Sequence, residues 1–227
     1  TEAGEVIYEN GLPTFDDKVS VLGNGNYDFT LGFRNAFSYK NLSMSVLVDM
    51  KFGADVYSMS KMQSHVNGTS KETLEGREGW YASEQARLSA NVDAKDWTPT
   101  GGYVGKGVKA VTDADGNVSY VPNDVYVDPA KYWQALQNSS PEPFICDNSF
   151  VKLREVSLSY SCPKKWFVHT PIESVTLSAY GRNLLLIYSK VDNIDPESSY
   201  NNGNGQGFEY GSLPSRRTFG FGINVKF

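Results

Sequence analysis

The sequence predicts an all-β fold of long antiparallel strands, and three observations support this. Five stretches alternate apolar and polar residues with a period of two, which indicates strands with one apolar face. The first two have apolar faces about ten residues long, which suits a bilayer better than a soluble sheet. The opposite faces carry Gly, Ser, Asn and charged residues, which fit a wet interior. We therefore predict an antiparallel segment of a transmembrane β-barrel.

The last predicted strand, residues 216–227, alternates most regularly. Its apolar face consists of Phe219, Phe221, Ile223, Val225 and Phe227, and the residues between them are Gly, Asn and Lys. Because the chain ends on an aromatic residue, the apolar face extends to the terminus. The pattern alone would also fit the last strand of a β-sandwich, so the choice between a barrel and a sandwich depends on the other strands.

The other four strands are predicted at residues 27–38, 41–54, 149–161 and 173–186. The first two form a hairpin whose apolar faces are interrupted by Asn35 on one strand, while Leu47 lies among the polar residues of the other. In the third strand, Lys152 and Arg154 are predicted to lie on the same apolar side as Val156 and Leu158, because all four have even residue numbers. We therefore expect this end of the strand to lie outside the membrane.

Two long segments interrupt the strands. Residues 58–148 are predicted to be a long insertion with some helix, including a hairpin turn near Asp113 and a helix that begins at Pro129. Residues 188–215 form a Gly- and Asn-rich loop, and the first 26 residues are expected to have little regular structure. A loop of this length inside a meander indicates a function of its own.

Composition excludes several classes of protein. The 227 residues carry a formal net charge of −5, so no basic field is present to attract nucleic acid. No stretch reaches the 18 or more apolar residues of a membrane helix. The mean hydropathy of −0.41 does not exclude barrel strands, since half of each strand faces water. Cys146 and Cys162 flank one predicted strand, so a disulfide between them is excluded if that strand is straight.

Several blocks of the sequence resemble the C-terminal part of SusC/RagA-type TonB-dependent outer-membrane transporters. Their order and spacing are also those of the family. The blocks are Leu22-Gly23-Asn24, Phe37 to Ser43, Ser149 to Leu158, Tyr180-Gly181-Arg182-Asn183-Leu184 and Asn193-Ile194-Asp195-Pro196-Glu197. The resemblance covers nearly the whole chain and weakens between Ser58 and Pro141.

The resemblance implies a 22-stranded barrel in the outer membrane of a Gram-negative bacterium, plugged by an N-terminal domain. Such a transporter works with a SusD-like surface lipoprotein, imports oligosaccharides or oligopeptides, and is energised through TonB. The five strands would be the last five of that barrel, and we expect the plug to lie outside this chain. With the C-terminus in the periplasm, the insertion and the 188–215 loop would be extracellular. No cofactor is implied.

Candidate functional residues fall into four groups, none of them catalytic. Charged residues expected to face the lumen, where they would meet the plug or the substrate, are Arg34, Asp49, Glu155 and Arg182. Aromatic residues of the insertion that are candidates for contact with substrate or partner are Trp80, Tyr81, Trp97, Tyr103 and Trp133, and for most of them packing inside the folded loop is the favoured interpretation. Phe227 is the expected insertion signal for the barrel-assembly machinery. Asp113, Asp115 and Asn117 are a weak calcium candidate, for which a plain turn is the favoured interpretation.

A second functional hypothesis is a secreted β-sandwich module that binds carbohydrate. The two hypotheses differ in what covers the apolar strand faces: a sandwich buries them in its own core, whereas a barrel segment leaves them for lipid. The sequence contains only two histidines, His65 and His169, and offers no set of catalytic residues that would support an enzyme.

Overall fold

The computed structural model describes residues 1, 3–15, 18–138, 140–198 and 203–227. It divides into two compact units. One unit comprises Thr1–Leu22 and Met59–Phe144, and we call it the insertion unit. The other comprises Gly23–Ser58 and Ile145–Phe227, and we call it the sheet unit.

Strands dominate the described residues, with three α-helices between them. The strands are β1 (Ile7–Glu9), β2 (Leu12–Pro13), β3 (Phe29–Tyr39), β4 (Leu42–Phe52), β5 (Asp55–Ser58), β6 (Val108–Thr112), β7 (Val118–Pro122), β8 (Ile145–Asp147), β9 (Phe150–Ser161), β10 (Ser174–Ser189), β11 (Phe208–Glu209) and β12 (Thr218–Lys226). The helices are α1 (Met59–Val66), α2 (Arg77–Ser89) and α3 (Pro129–Gln137). No helix among these residues is both long and apolar enough to cross a membrane.

The sheet unit is built on a five-stranded sheet in the order β12-β10-β9-β4-β3. Every neighbouring pair in it is antiparallel. The register places apolar residues from all five strands in rows across one face, because the period of two is kept from strand to strand. One such row consists of Phe37, Met44, Leu158, Ala179 and Phe221.

The apolar face of this sheet is not covered by other parts of the described chain. Phe33 and Phe37 are 57% and 56% exposed, and Phe221 is 86% exposed. Side chains of this size are normally buried in a soluble domain, where each would contribute about 1.5–3 kcal/mol to folding. The sheet therefore presents a continuous apolar surface to its surroundings.

A β-bulge in β9 corrects the expectation for Lys152 and Arg154. Leu47 pairs with Glu155 but the next residue, Val48, pairs with Leu153, so Arg154 is an extra residue in the ladder. Past the bulge the parity reverses, and Lys152 pairs with Asp49 on the polar face. The prediction that Lys152 lies on the apolar side was therefore wrong, because it assumed an uninterrupted strand.

A second, smaller sheet in the sheet unit has the order β11-β5-β8. The Glu209 side chain is buried there, 1% exposed, and accepts a hydrogen bond of 2.9 Å from the Ser58 hydroxyl. Backbone N–H groups of Gly211 and Ser212 also donate to this carboxylate. The chain leaves this sheet at Ser58 and returns to it at Ile145.

The insertion unit contains a four-stranded sheet, β2-β1-β6-β7, and all three helices. Its core is formed by Tyr8, Met62, Tyr132, Trp133, Leu136 and Phe144. Helix α3 begins with Pro129, and the Asp128 side chain accepts a 2.9 Å hydrogen bond from the Ala130 N–H, which caps the helix.

The first 26 residues are more ordered than the sequence suggested. Strand β1 pairs with β6 in parallel, with Ile7 opposite Val108, and Tyr8 is 5% exposed. Residues distant in sequence thus complete one sheet, and local turn signals such as Asn10-Gly11 could not reveal this pairing. Both Cys146 and Cys162 are free thiols.

Candidate functional site

The four charged residues predicted to face the lumen lie in two neighbouring rows on the polar face of the five-stranded sheet. In one row, Arg34 pairs with Leu47, Leu47 with Glu155, and Glu155 with Arg182. Asp49 lies in the next row, opposite Lys152. The ladder therefore brings all four to one surface, although they come from four different strands.

Two of these residues form an ion pair with each other. The Arg182 Nε donates to Glu155 Oε2 over 2.7 Å, and the arginine side chain is 59% exposed. Arg34 differs from them, since it has no ion-pair partner among the residues that the structure describes and is exposed. Its charge is available to a group from outside this chain.

Asp49 belongs to a larger group that the sequence did not single out as a site. We call Asp49, Lys152, Arg154, Asp195 and Glu197 the ion-pair cluster. It joins strands β4 and β9 to the loop that follows β10. Because its members come from three separate segments, the cluster fixes that loop against the polar face of the sheet.

Lys152 is the centre of the ion-pair cluster. Its side chain is buried, with the residue 3% exposed, and its Nζ donates to Glu197 Oε2 over 2.7 Å and to Asp195 Oδ1 over 3.1 Å. A third bond of 2.9 Å reaches the Ser215 hydroxyl. All three ammonium donors are thus satisfied, as a buried charge requires.

Arg154 holds the other side of Glu197. Its Nη1 and Nη2 donate to the two carboxylate oxygens over 2.9 and 2.5 Å, a bidentate arrangement. The same guanidinium donates to Asp49 Oδ2 and to the Asn183 amide oxygen, each over 2.5 Å. Arg154 reaches these groups because the bulge in β9 directs it to the polar face.

Hydrogen bonds set the protonation of the two loop carboxylates. Burial by itself would raise the pKa of Asp195, but hydrogen bonds from Ser215, the Glu197 N–H and Lys152 outweigh burial and lower the pKa to about 2. Burial opposes the shift in Glu197 too, and the bonds from Arg154 and Lys152 leave its pKa below the usual value. Both carboxylates are therefore charged at neutral pH.

The aromatic candidates of the insertion unit divide into packed and accessible residues. Trp133 is buried, Trp97 donates from Nε1 to the Ser83 hydroxyl over 3.1 Å, and the Tyr103 ring lies 4.4 Å from that of Tyr132. These three hold the unit together. Trp80 and Tyr81 line a cleft that Trp133 also borders, and Tyr81 is 67% exposed.

The calcium candidate forms a turn between β6 and β7. One Asp113 carboxylate oxygen accepts the N–H groups of Asp115 and Asn117 over 2.9 and 2.8 Å, and the other accepts the Asn117 amide over 3.0 Å. These bonds lower the pKa of Asp113, led by the one from the Asn117 side chain. In the described part of the chain, no three His, Cys, Asp or Glu residues cluster to hold a metal ion.

Phe227, the predicted insertion signal, follows the last strand and is 79% exposed. It has the parity of Phe221 and Ile223, so it continues the apolar row of β12 to the end of the chain.

Comparison with known proteins gives two curated relatives. Both are from Formosa agariphila: TonB-dependent receptor P3 is 27% identical over 222 residues, and TonB-dependent receptor P26 is 29% identical over 223 residues. These matches cover 95% and 96% of this chain. They cover 18% and 19% of the relatives, so the chain spans about a fifth of their length. No protein-family model matches the chain.

Solved structures agree in fold. A chain of the RagAB peptide importer in its closed-closed state matches with a TM-score of 0.57 and 16% identity, over 99% of this chain and 20% of that one. The open-open state of the same importer matches with a TM-score of 0.54 and 17% identity, over 98% and 20%.

The fold is rich in β-strands, and its main sheet has one apolar and one polar face. The resemblance drawn from the sequence blocks is confirmed: over nearly its whole length this chain is similar to a portion of proteins named TonB-dependent receptors, and it shares the fold of a portion of a RagAB importer chain.

Proposed function

We propose that this chain forms barrel strands of an outer-membrane transporter that imports oligosaccharides or oligopeptides. Its partners would be a SusD-like surface lipoprotein, the TonB complex acting through the rest of the protein, and the barrel-assembly machinery. Support comes from the TonB-dependent receptors that it resembles, and from a solved neighbour described as the RagAB peptide importer.

The observation that carries the proposal is the chemical contrast between the faces of one sheet. One face exposes Phe33, Phe37 and Phe221, while the other carries charged and hydroxyl side chains. In a β-sandwich the apolar face would be buried, so its exposure argues against the carbohydrate-binding module. In a barrel, lipid would cover the apolar face and the polar face would line the lumen.

The ion-pair cluster has a role in this proposal. By holding residues 193–197 against β9, it would keep the loop after β10 folded at the polar face, where it shapes the path of the substrate. Arg34 and the exposed Arg182 would then meet the plug or the passing oligomer. Contact with the plug is the favoured role, because a plug inside the lumen would cover these charges, and covered charges are normally paired.

Single cysteines on adjacent residues test the orientation of the faces. In the full-length protein with Cys146 and Cys162 replaced by Ser, Phe37→Cys would place a thiol on the apolar face and Ser38→Cys would place one on the polar face. We expect Phe37→Cys to react with a membrane-dissolved maleimide and Ser38→Cys with a water-soluble one, in isolated outer membranes. Equal labelling by the water-soluble reagent would contradict the barrel.

Uptake tests the transport function separately. Cells that depend on this protein should lose uptake of the transported oligomer when TonB is inactivated, and the SusD-like lipoprotein should copurify with the protein in detergent. Uptake that persists without TonB would refute an energised transporter.

A further inference from the structure

One end of the five-stranded sheet carries an excess of basic side chains. Three parts of the chain meet there: the turn between β3 and β4, the segment between β9 and β10, and the end of β12. The Ser161 N–H donates to the Asn41 carbonyl over 2.8 Å, and the Glu173 N–H donates to the Lys226 carbonyl over 2.7 Å. The lysines that these parts supply are Lys40, Lys164, Lys165 and Lys226. Glu173 is the one Asp or Glu in them, although the whole chain has a net charge of −5.

Three of these lysines are not neutralised by the protein. Lys226 forms a 2.7 Å ion pair with Glu173. The other three, Lys40, Lys164 and Lys165, are exposed and have no ion-pair partner among the residues that the structure describes. We call these three lysines the basic rim. Their ammonium groups are available to anions from outside the chain.

The basic rim borders the apolar face of the sheet. Tyr39 continues the row of Phe37 along β3, so the apolar face ends with its ring, which is 72% exposed. The Lys40 Nζ lies 5.2 Å from the centroid of that ring, which keeps the ammonium at the edge of the apolar face. Trp166 directly follows Lys165 and is 60% exposed. Tyr and Trp beside lysines are typical of the level at which a bilayer meets water.

The lengths of the connections indicate which leaflet this end meets. Only Lys40 and Asn41 join β3 to β4, whereas the long segments that follow β4 and β10 leave from the opposite end of the sheet. Outer-membrane barrels have their short turns in the periplasm. The leaflet on that side consists of phospholipids, whose phosphates lysine binds as a point charge. The basic rim would therefore lie level with phospholipid headgroups.

We propose that the basic rim binds the phosphate groups of anionic phospholipids in the periplasmic leaflet, with Tyr39 and Trp166 at the interface beside them. The proposal rests on the proposed function as membrane-spanning strands, and it adds a lipid class and a binding surface. Charge attraction at the ends of β3, β4 and β9 would fix the depth of these strands in the bilayer.

Photo-crosslinking beside the basic rim tests the proposal. The full-length protein carries p-benzoylphenylalanine in place of Val168, which is 68% exposed and lies two residues beyond Trp166. It is reconstituted into nanodiscs with equal amounts of phosphatidylglycerol, which is anionic, and phosphatidylcholine, which has no net charge. Mass spectrometry of the crosslinked protein then gives the ratio of the two lipids captured at this position.

Three variants are compared with the protein that has all its lysines. The test variant carries Lys40→Gln, Lys164→Gln and Lys165→Gln. A second variant has Arg at these three positions and keeps the charges. The matched control removes the same charge from exposed positions of the insertion unit, through Lys71→Gln, Lys95→Gln and Lys106→Gln.

Each lysine near an anionic lipid surface favours binding about fivefold at low salt. Because salt screens part of this attraction, we expect capture of phosphatidylglycerol about tenfold above phosphatidylcholine with the lysines intact, in the control and in the Arg variant. The Gln variant should capture the two lipids about equally.

Equal capture with the lysines intact, an excess of phosphatidylglycerol that persists in the Gln variant, or capture of neither lipid would overturn the proposal. So would preferential capture of lipopolysaccharide included in the same discs, because that lipid belongs to the other leaflet. Failure of the proposed function is separate: it would show as labelling of Phe37→Cys by the water-soluble maleimide or as uptake independent of TonB.

Discussion

Replacing Lys152 with methionine tests whether the ion-pair cluster holds the loop after β10. Lys152 is 3% exposed and lies 3.1 and 2.7 Å from the carboxylates of Asp195 and Glu197. Removing one partner of a buried pair costs about 3–5 kcal/mol, because the other charge stays buried. Arg154 still binds Glu197 and Ser215 still donates to Asp195, so we expect the lower end, about 3 kcal/mol.

Hydrogen–deuterium exchange of residues 193–198 in the full-length protein measures this loss directly. A cost of about 3 kcal/mol corresponds to opening that is roughly a hundredfold more frequent. Lys190→Met is the control, because Lys190 forms a 2.6 Å pair with Asp147 whose side chains are 53% and 37% exposed. Such a pair contributes at most about 1 kcal/mol. Equal exchange in the two variants would refute the reasoning.

Three further predictions concern pH, the insertion and the terminus. The lowered pKa of Asp195, about 2, means that its stabilisation is complete above its ordinary pKa of 3.8. Exchange of residues 193–198, corrected for the intrinsic rate, should stay constant from neutral pH to about pH 5 and rise below about pH 4. Deleting residues 69–137 should abolish either the uptake of the oligomer or the copurification of the SusD-like lipoprotein. A deletion variant that keeps both would contradict the proposed role of the insertion. Phe227→Asp should lower the amount of heat-modifiable barrel in outer membranes with normal uptake per folded copy; normal insertion with defective uptake would contradict the assigned role.

The long strands could be predicted because their pattern is local and regular. Strand β4, at Leu42–Phe52, lies within the predicted range of 41–54, and β12, at Thr218–Lys226, lies within 216–227. The bulge at Arg154 could not be predicted, since an extra residue in a ladder is visible only when the partner strand is known. Strand β1 was missed for a similar reason, because its partner β6 is about a hundred residues away.

The candidate site was predicted only in part. Parity alone placed Arg34, Glu155 and Arg182 on one face, as the register has them. The ion-pair cluster was not predicted, although Lys152, Arg154, Asp195 and Glu197 all lie in sequence blocks that carry the family resemblance. Two cations in one strand and two carboxylates in a later loop are a signal of pairing, but only the bulge brings them together.

The parallel pairing of β1 with β6 makes the insertion unit a discontinuous domain, completed by two segments that enter it from different points of the chain. A graft that moves only residues 59–144 to a related transporter would leave β6 paired with β7 alone, without its neighbour β1, and would remove Tyr8 from the core. Exchange of this unit between transporters, in the laboratory or by recombination, therefore has to carry residues 1–22 along with it. The two segments should vary together among relatives even where the strands between them do not.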